Sequence, residues 1–514
     1  MKPRMLIAAV AIVLAGHAWL AVENLTMDGD TLRLAGQLAQ ADSLRASCSL
    51  LGPKVILYPL QPPFIWGAAR AGAIVWPGWN TLSASRLLAI LALVAAASLL
   101  ALLAREAGAG AGGRAAAALF PFCWHGFSFL AASCDDNSVT GALRLAAVLA
   151  AVRWLSQPAG GRRHLVVGAA LGAAMGWHFQ SVLLFPGIAI AALWGWRRDG
   201  VARLRETAEA LALGVAVWLA LTGLCLGVGR APAPSVGALA EAMVENHRDA
   251  RLWFPSSPRP FAAHAAMVWE GWSRMALGFE WLRPPRAWLA VVGVTSSAMV
   301  MLAVSWAAVA GTALGRVVGS VLAIQIAHSL LYESESIERW DVPVIFCGLI
   351  AVAGVGALGR AGRAGAARRM AGGWWAFALA LGLCNAGAWT RFARDAEPAF
   401  LDVVEGRRQI EGLSLDCVGA HWRLCRAVRG IASEVGPSDS FAGMLQAKVP
   451  DVFHQHYLTS WCSAYLVCYA PGFATRPALR RLWISLLRAP PRPFRIVRQE
   501  GFVYLAEPEG RSRP

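Results

Sequence analysis

Charge is scarce in this sequence of 514 residues: Asp, Glu, Lys and Arg together make up 15% of it, against 57% hydrophobic residues. A chain of that length with so few charges cannot cover itself with a water-facing surface, which excludes an ordinary soluble domain. It also lacks a Walker phosphate loop, a dinucleotide glycine fingerprint, a His-Glu-x-x-His pair and a Gly-x-Ser-x-Gly elbow. Nucleotide-driven transport and soluble-cofactor chemistry lose their usual signatures with them. No internal repeat of solenoid length is present, and the Ala/Gly-rich stretches at 106–118 and 361–373 read as loops and helix ends.

What is present is a basic excess, 47 Lys and Arg against 31 acids for a net charge of +16. Such a balance suggests nucleic acid until the positions are examined, because the basic residues fall mostly in short loops between apolar runs. A helix needs about 20 residues to cross the hydrocarbon, and a window of that length predicts eleven spans. They lie near 5–22, 82–104, 114–133, 138–155, 164–178, 181–196, 208–228, 287–312, 316–332, 342–359 and 373–391. The stretch from His164 to Trp196 is too long for one helix, and His178, Gln180 and Ser181 near its middle predict a hairpin turn. With Lys2 and Arg4 inside, the basic loops Arg105 to Arg114, Arg162 and Arg163, Arg197 to Arg205, and Arg360 to Arg369 all fall on the cytoplasmic side. The first segment is read as a span and not as a cleaved signal peptide, since no small-residue cleavage site precedes Glu23.

The expected architecture is therefore an all-α polytopic membrane protein, residues 1–391, followed by a small α+β extracytoplasmic domain, residues 392–514. Outer loops are expected at 23–81, 229–286 and 333–341. In the tail, a helical pattern at Phe400 to Ile410 precedes Cys417, Cys425, Cys462 and Cys468, and Phe494 to Ala506 alternates about Glu500-Gly501 as a hairpin does. An oxidising compartment permits the four cysteines to pair, in any of three ways, or they are buried free thiols. The acceptor pattern Asn24-Leu25-Thr26 sits against the membrane and carries no weight.

Polar residues at the outer ends of the spans are the candidates for chemistry. Asp28 and Asp30 follow the first span, where partial desolvation would raise a carboxyl pKa and suit it to accept a proton; equally, Asp30 caps the amphipathic helix beginning at Thr31. Asp135 and Asp136 open the fourth span, and capping explains one acid but not two. His178 stands alone at the hairpin turn, the usual situation of a structural histidine. The densest cluster, Glu333 to Asp341, includes Glu335, Glu338 and Arg339. It reads as a site for a divalent metal ion or an anionic ligand held by Arg339, or as solvated loop charge.

In order along the chain, these features resemble the GT-C superfamily of membrane glycosyltransferases, of the protein mannosyltransferase and aminoarabinose transferase type. The resemblance covers residues 1 to about 360. It rests on the acids after the first span, the amphipathic stretch Thr31 to Cys48, the segment Tyr58-Pro59-Leu60-Gln61-Pro62-Pro63-Phe64, the pair Asp135-Asp136, and Glu338-Arg339-Trp340-Asp341-Val342-Pro343. The sequence departs from the family in reading Asp28-Gly29-Asp30 where an adjacent acidic pair is common, and in having Trp340 where Tyr or Phe is usual. The resemblance implies transfer of a sugar from a polyprenyl-phosphate carrier to a lipid, glycan or protein acceptor on the outer face of the membrane; the Arg and Ala enrichment of the sequence fits a bacterial inner membrane, where that face is periplasmic. Asp28 or Asp30 would be the base, and Arg339, with His178 or Lys54, would stabilise the departing phosphate.

The alternative class is a transporter or flippase, whose mark is ionisable or polar groups within the membrane. Arg144, Gln325 and His328 are the candidates for that reading.

Overall fold

The computed structural model describes residues 11–16, 34, 38, 41–49, 57–76, 79, 81–132, 137–229, 237, 261–277, 286–332, 339–404, 465–468, 494–500 and 503–508. Short α1 (Leu44–Ser49) and α2 (Gln61–Val75) precede the long helix α3 (Thr81–Glu106). Then come α4 (Ala111–Leu119), a 3-10 turn (Phe120–Cys123), α5 (His125–Ala132), α6 (Asn137–Leu155) and α7 (Arg163–Trp177). A second 3-10 turn (Phe179–Leu183) leads to α8 (Leu184–Gly229), α9 (Phe261–Leu277), α10 (Arg286–Val309), α11 (Ala313–Leu331), α12 (Asp341–Arg360) and α13 (Ala364–Val404).

Five stretches of these helices are long and apolar enough to cross a membrane: Ala84–Glu106, Asn137–Leu155, Asp199–Gly229, Ala313–Leu331 and Asp341–Arg360. Phe179–Trp194 and Thr295–Val309 are shorter and also apolar. Leu91, Val166, Leu224, Met299 and Leu383 are each more than half exposed, on surfaces that lipid, and not water, would accept. The chain is an integral membrane protein.

Burial identifies the centre of the bundle. In α12 every residue from Asp341 to Ala351 is buried, and α6 is buried from Thr140 to Leu155 save four positions. A helix apolar all round has no face to give to solvent and so becomes the core. Close approach is achieved with glycine: a Cβ on Gly348 would lie 2.5 Å from Phe120, and one on Gly354 would lie 2.6 Å from Ser305. Between α7 and α8 three glycines one turn apart do the same. Gly168 faces the Ala210 carbonyl, Gly172 faces Val217 and the Gly214 carbonyl, and Gly176 faces Leu221 and Leu60.

Two expected elements take a different form. The stretch 114–133 is two helices joined by the 3-10 turn at Phe120–Cys123, where Pro121 has no N–H to continue the ladder. The basic stretch Arg197 to Arg205 is helical, interrupted only at Gly200, whose φ of 62° and ψ of −147° suit glycine. Arg203 there is 1% exposed and paired with Asp199 and Glu206, so it is not a free loop charge. The turn at His178 is present, with α7 ending at Trp177.

Of the tail, β1 (Tyr465–Cys468), β2 (Phe494–Glu500) and β3 (Val503–Pro508) form an antiparallel sheet in the order β1-β3-β2. The β2–β3 hairpin has a register shift between Ile496 and Arg498. Cys417, Cys425 and Cys462 lie outside the described residues.

Candidate functional site

Contacts between chain segments sort the helix ends into two groups. At one end, Leu60 N–H donates to the Gly176 carbonyl and Phe179 N–H to the Leu57 carbonyl, both at 2.9 Å. There too Ser49 Oγ donates to the Gly229 carbonyl (3.1 Å), and His264 Nε2 meets the Leu330 carbonyl at 2.6 Å. At the other end Arg153 pairs with Glu106 (2.9 Å), His164 with Glu209 (2.8 Å), and Arg203 reaches the Gln157 carbonyl. The described ends at Trp177, Gly229 and Leu331, expected outside, fall in the first group, and those at Glu106, Leu155 and Arg163, beside basic loops, fall in the second.

The first end holds the described candidates. His178 ends α7 in an extended conformation, and its Nδ1 accepts from Gln180 N–H at 3.2 Å. A protonated ring could not accept there, so His178 acts as the cap of the following turn; Tyr58 meets it edge-on at 5.0 Å. Two and three residues on, Gln180 and Ser181 receive Arg144 from α6: Nε donates to Ser181 Oγ at 3.2 Å and Nη2 to Gln180 Oε1 at 3.4 Å. Arg144 is 3% exposed, a guanidinium set two turns below the start of its helix.

Arg339 introduces α12 with its guanidinium 5.3 Å above the Tyr332 ring, and its carbonyl accepts a bond from Ser329 Oγ. Behind it Trp340 packs against Trp272 at 5.5 Å, and Asp341 is buried in the first turn, taking Val342 N–H on Oδ1. Buried carboxylate at a helix start is stabilised by the free N–H groups and the dipole there. Gly141 of α6 and Ile345 of α12 touch, an added Cβ at Gly141 lying 3.7 Å from Ile345 Cδ1. Each is one turn in from the start of its helix, so Asn137 and Asp341 open neighbouring helices at the same level. Asn137 directly follows Asp135 and Asp136 in sequence.

Asp28, Asp30, Lys54, Asp135, Asp136, Glu335 and Glu338 lie outside the described residues. Among the described residues no three His, Cys, Asp or Glu side chains group as a metal site would. Two polar groups join the site that were not singled out for it from sequence. Arg144 had a signal, being the one charge in the apolar interior of α6. Asp341 was quoted only as part of a motif; nothing in the sequence marks it as buried. Gln325 of α11 is also buried, with no partner for Nε2 among the described residues.

No family model and no curated relative matches the chain. As a fold it is a helical integral membrane protein, and solved membrane proteins of that kind are similar to it. One is ArnT from Cupriavidus metallidurans bound to undecaprenyl phosphate, 14% identical, covering 98% of this chain and 97% of that one with a TM-score of 0.47. The same protein in the apo state gives 0.45 at 14% identity, with 98% and 97% covered. The Pmt1-Pmt2 protein O-mannosyltransferase complex of S. cerevisiae bound to the sugar donor is 14% identical, covers 51% of this chain and 37% of that one, and gives 0.33.

Proposed function

We propose that this protein is a glycosyltransferase that takes a sugar from a polyprenyl-phosphate carrier and transfers it to an acceptor hydroxyl or amine at the outer face of a bacterial inner membrane. The N-terminus would be cytoplasmic and residues 392–514 would form a domain outside. The observation that carries the reading is the approach of α6 to α12 at Gly141 and Ile345, one turn in from each start, with the buried Arg144 three residues deeper in α6 and Arg339 two residues ahead of α12. The start of α2 lies against the turn after His178, through Leu60 N–H on the Gly176 carbonyl and Phe179 N–H on the Leu57 carbonyl, and helix N-termini attract anions. A phosphate held by guanidinium groups in a water-poor site is a better leaving group, because the charge it gains is met by fixed donors.

In this mechanism the acceptor oxygen or nitrogen attacks the anomeric carbon while a carboxylate, Asp28 or Asp30, takes its proton. The bond from that carbon to the carrier phosphate oxygen breaks, and the polyprenyl phosphate departs with the electron pair. One displacement inverts the anomeric centre. Arg339 and Arg144 bind the phosphate; Tyr58 and His178 fix the turn that carries Gln180 and Ser181. Lys54, Glu335, Glu338, Asp135 and Asp136 are further candidates for donor or acceptor binding. The lipid tail lies between spans, and no nucleic acid takes part.

A transporter or flippase of a lipid-linked or small anionic substrate is the second reading. Arg144 and Gln325, both 3% exposed inside apolar helices, favour it. Purification with native lipid followed by mass spectrometry separates the two: a bound polyprenyl phosphate or its sugar conjugate is expected, and a soluble solute in its place would overturn the transferase. Sugar transfer by the purified protein excludes simple translocation.

A further inference from the structure

Two cysteines far apart in sequence face each other at the proposed outer end of the bundle. Cys48 is the next-to-last residue of α1 and Cys225 lies in the last turns of α8, 177 residues away. Both are 4% exposed, and they form one buried cluster flanked by Leu226 and Val228. Cys225 Sγ lies 4.0 Å from the Cys48 carbonyl oxygen, and both cysteines are free thiols in the structure. One turn further on, Gly229 lets α1 come close: a Cβ there would lie 3.5 Å from Cys48 Cβ and 3.0 Å from Ser49 Oγ. Ser49 in turn donates to the Gly229 carbonyl. Positions 225 and 229 share a helix face, so one stripe of α8 meets both of the last residues of α1.

We propose that Cys48 and Cys225 are joined by a disulfide that clasps the outer segment ending at Ser49 to the end of α8. Disulfides need thiols already facing each other at short range and an oxidising compartment, and the outer face supplies the second condition. The oxidant is a thiol–disulfide exchange protein of that compartment. One cysteine thiolate attacks its disulfide sulfur to give a mixed disulfide; the second cysteine then displaces it. The bond between the two cysteines forms, and the oxidant leaves as a dithiol carrying the two electrons and two protons. Because both sulfurs end up buried, the bond forms as the segments dock and is afterwards shielded from reductants. Closing so long a loop restricts the unfolded chain strongly. The clasp holds one end of the segment that links the carboxylates after the first span to the bundle. The inference depends on the proposed sidedness of the membrane and not on sugar transfer.

The test is peptide mass spectrometry on full-length protein solubilised in N-ethylmaleimide and denatured without reductant. A linked pair of peptides carrying Cys48 and Cys225 is expected, with neither cysteine alkylated until reductant is added. Single variants Cys48→Ser and Cys225→Ser should each leave the other cysteine reactive with maleimide. Reductant should lower the melting temperature of the wild type more than that of the double variant. Maleimide on both cysteines in the unreduced wild type, or Cys48 linked to a tail cysteine, overturns the clasp. Linkage that appears only after copper–phenanthroline oxidation also overturns it, while keeping the two thiols as neighbours. The sidedness would then be at fault, and a topology reporter reads that independently.

Discussion

At the scale of single residues, the proposed mechanism turns on whether the carboxylates after the first span accept protons or cap a helix. Asn caps about as well as Asp but cannot serve as a base. Asp28→Asn and Asp30→Asn, singly and together, should lower turnover by roughly 10² to 10⁴ fold at the catalytic position while expression and carrier binding hold. A double variant that transfers sugar at the wild-type rate would end the mechanism. Arg144 gives a complementary expectation. Arg144→Lys keeps the charge and loses the fork that spans Ser181 and Gln180, so donor affinity should fall roughly 10-fold or more, measured by titration with the carrier phosphate. Arg203 is a control of another kind. Arg203→Met strands Asp199 and Glu206, each with a side chain 7% exposed, and should cost about 3–5 kcal/mol of stability. Replacing all three by apolar residues should cost much less, read by thermal unfolding in detergent.

At the scale of elements, the sequence made plain what depends on averages over a turn or more and hid what depends on neighbours. The polar triplet His178, Gln180 and Ser181 interrupts an apolar run, and α7 does end at Trp177. Pro121 was equally visible, yet a hydropathy window averages across a single residue, and the run 114–133 reads as one span where the structure has two helices and a turn. The stretch Arg197 to Arg205 reads as a loop because its charges look solvated; their mutual pairing on successive helical turns cannot be seen without the partners Gln157 and Trp154 from elsewhere. Of the site, the positions Arg339 and His178 were legible from type and place, while the contact of Arg144 with Gln180 and Ser181 required the fold. The glycine series 168, 172 and 176 shows the same divide: its spacing is in the sequence, but its partner α8 is not. Gly172→Leu would drive a side chain into Val217 and the Gly214 carbonyl, and should destabilise the protein by roughly 1–3 kcal/mol. Gly223→Leu, on the same helix pair with nothing within 4 Å of the added Cβ, should leave the melting temperature nearly unchanged.

For the whole molecule, the decisive question is which end of the bundle faces the cytoplasm, because both the transfer reaction and the cysteine clasp require the end with Arg144 and Arg339 to face out. Basic residues in short loops are retained inside, and acids count for little. Arg203 is buried in its own ion pairs, but it lies on the same side as a larger cluster of basic residues. That cluster includes Arg105, Arg114, Arg162 and Arg163, with Arg360, Arg363, Arg368 and Arg369 beside the start of α13. Gly108 lies against the Arg360 guanidinium, which joins the first and last of these groups at one end. A single misplaced span would send one of them to the opposite side from the others. A reporter active only outside the cytoplasm should therefore work when fused after Pro255 or after Pro514 and stay silent after Arg363. Removing Arg360, Arg363, Arg368 and Arg369 together should weaken that contrast at Pro514 more than at Pro255, since the bias acts mainly on flanking spans. Activity after Arg363 would invert the molecule, placing Arg339 and Asp341 in the cytoplasm and the cysteine pair among reductants.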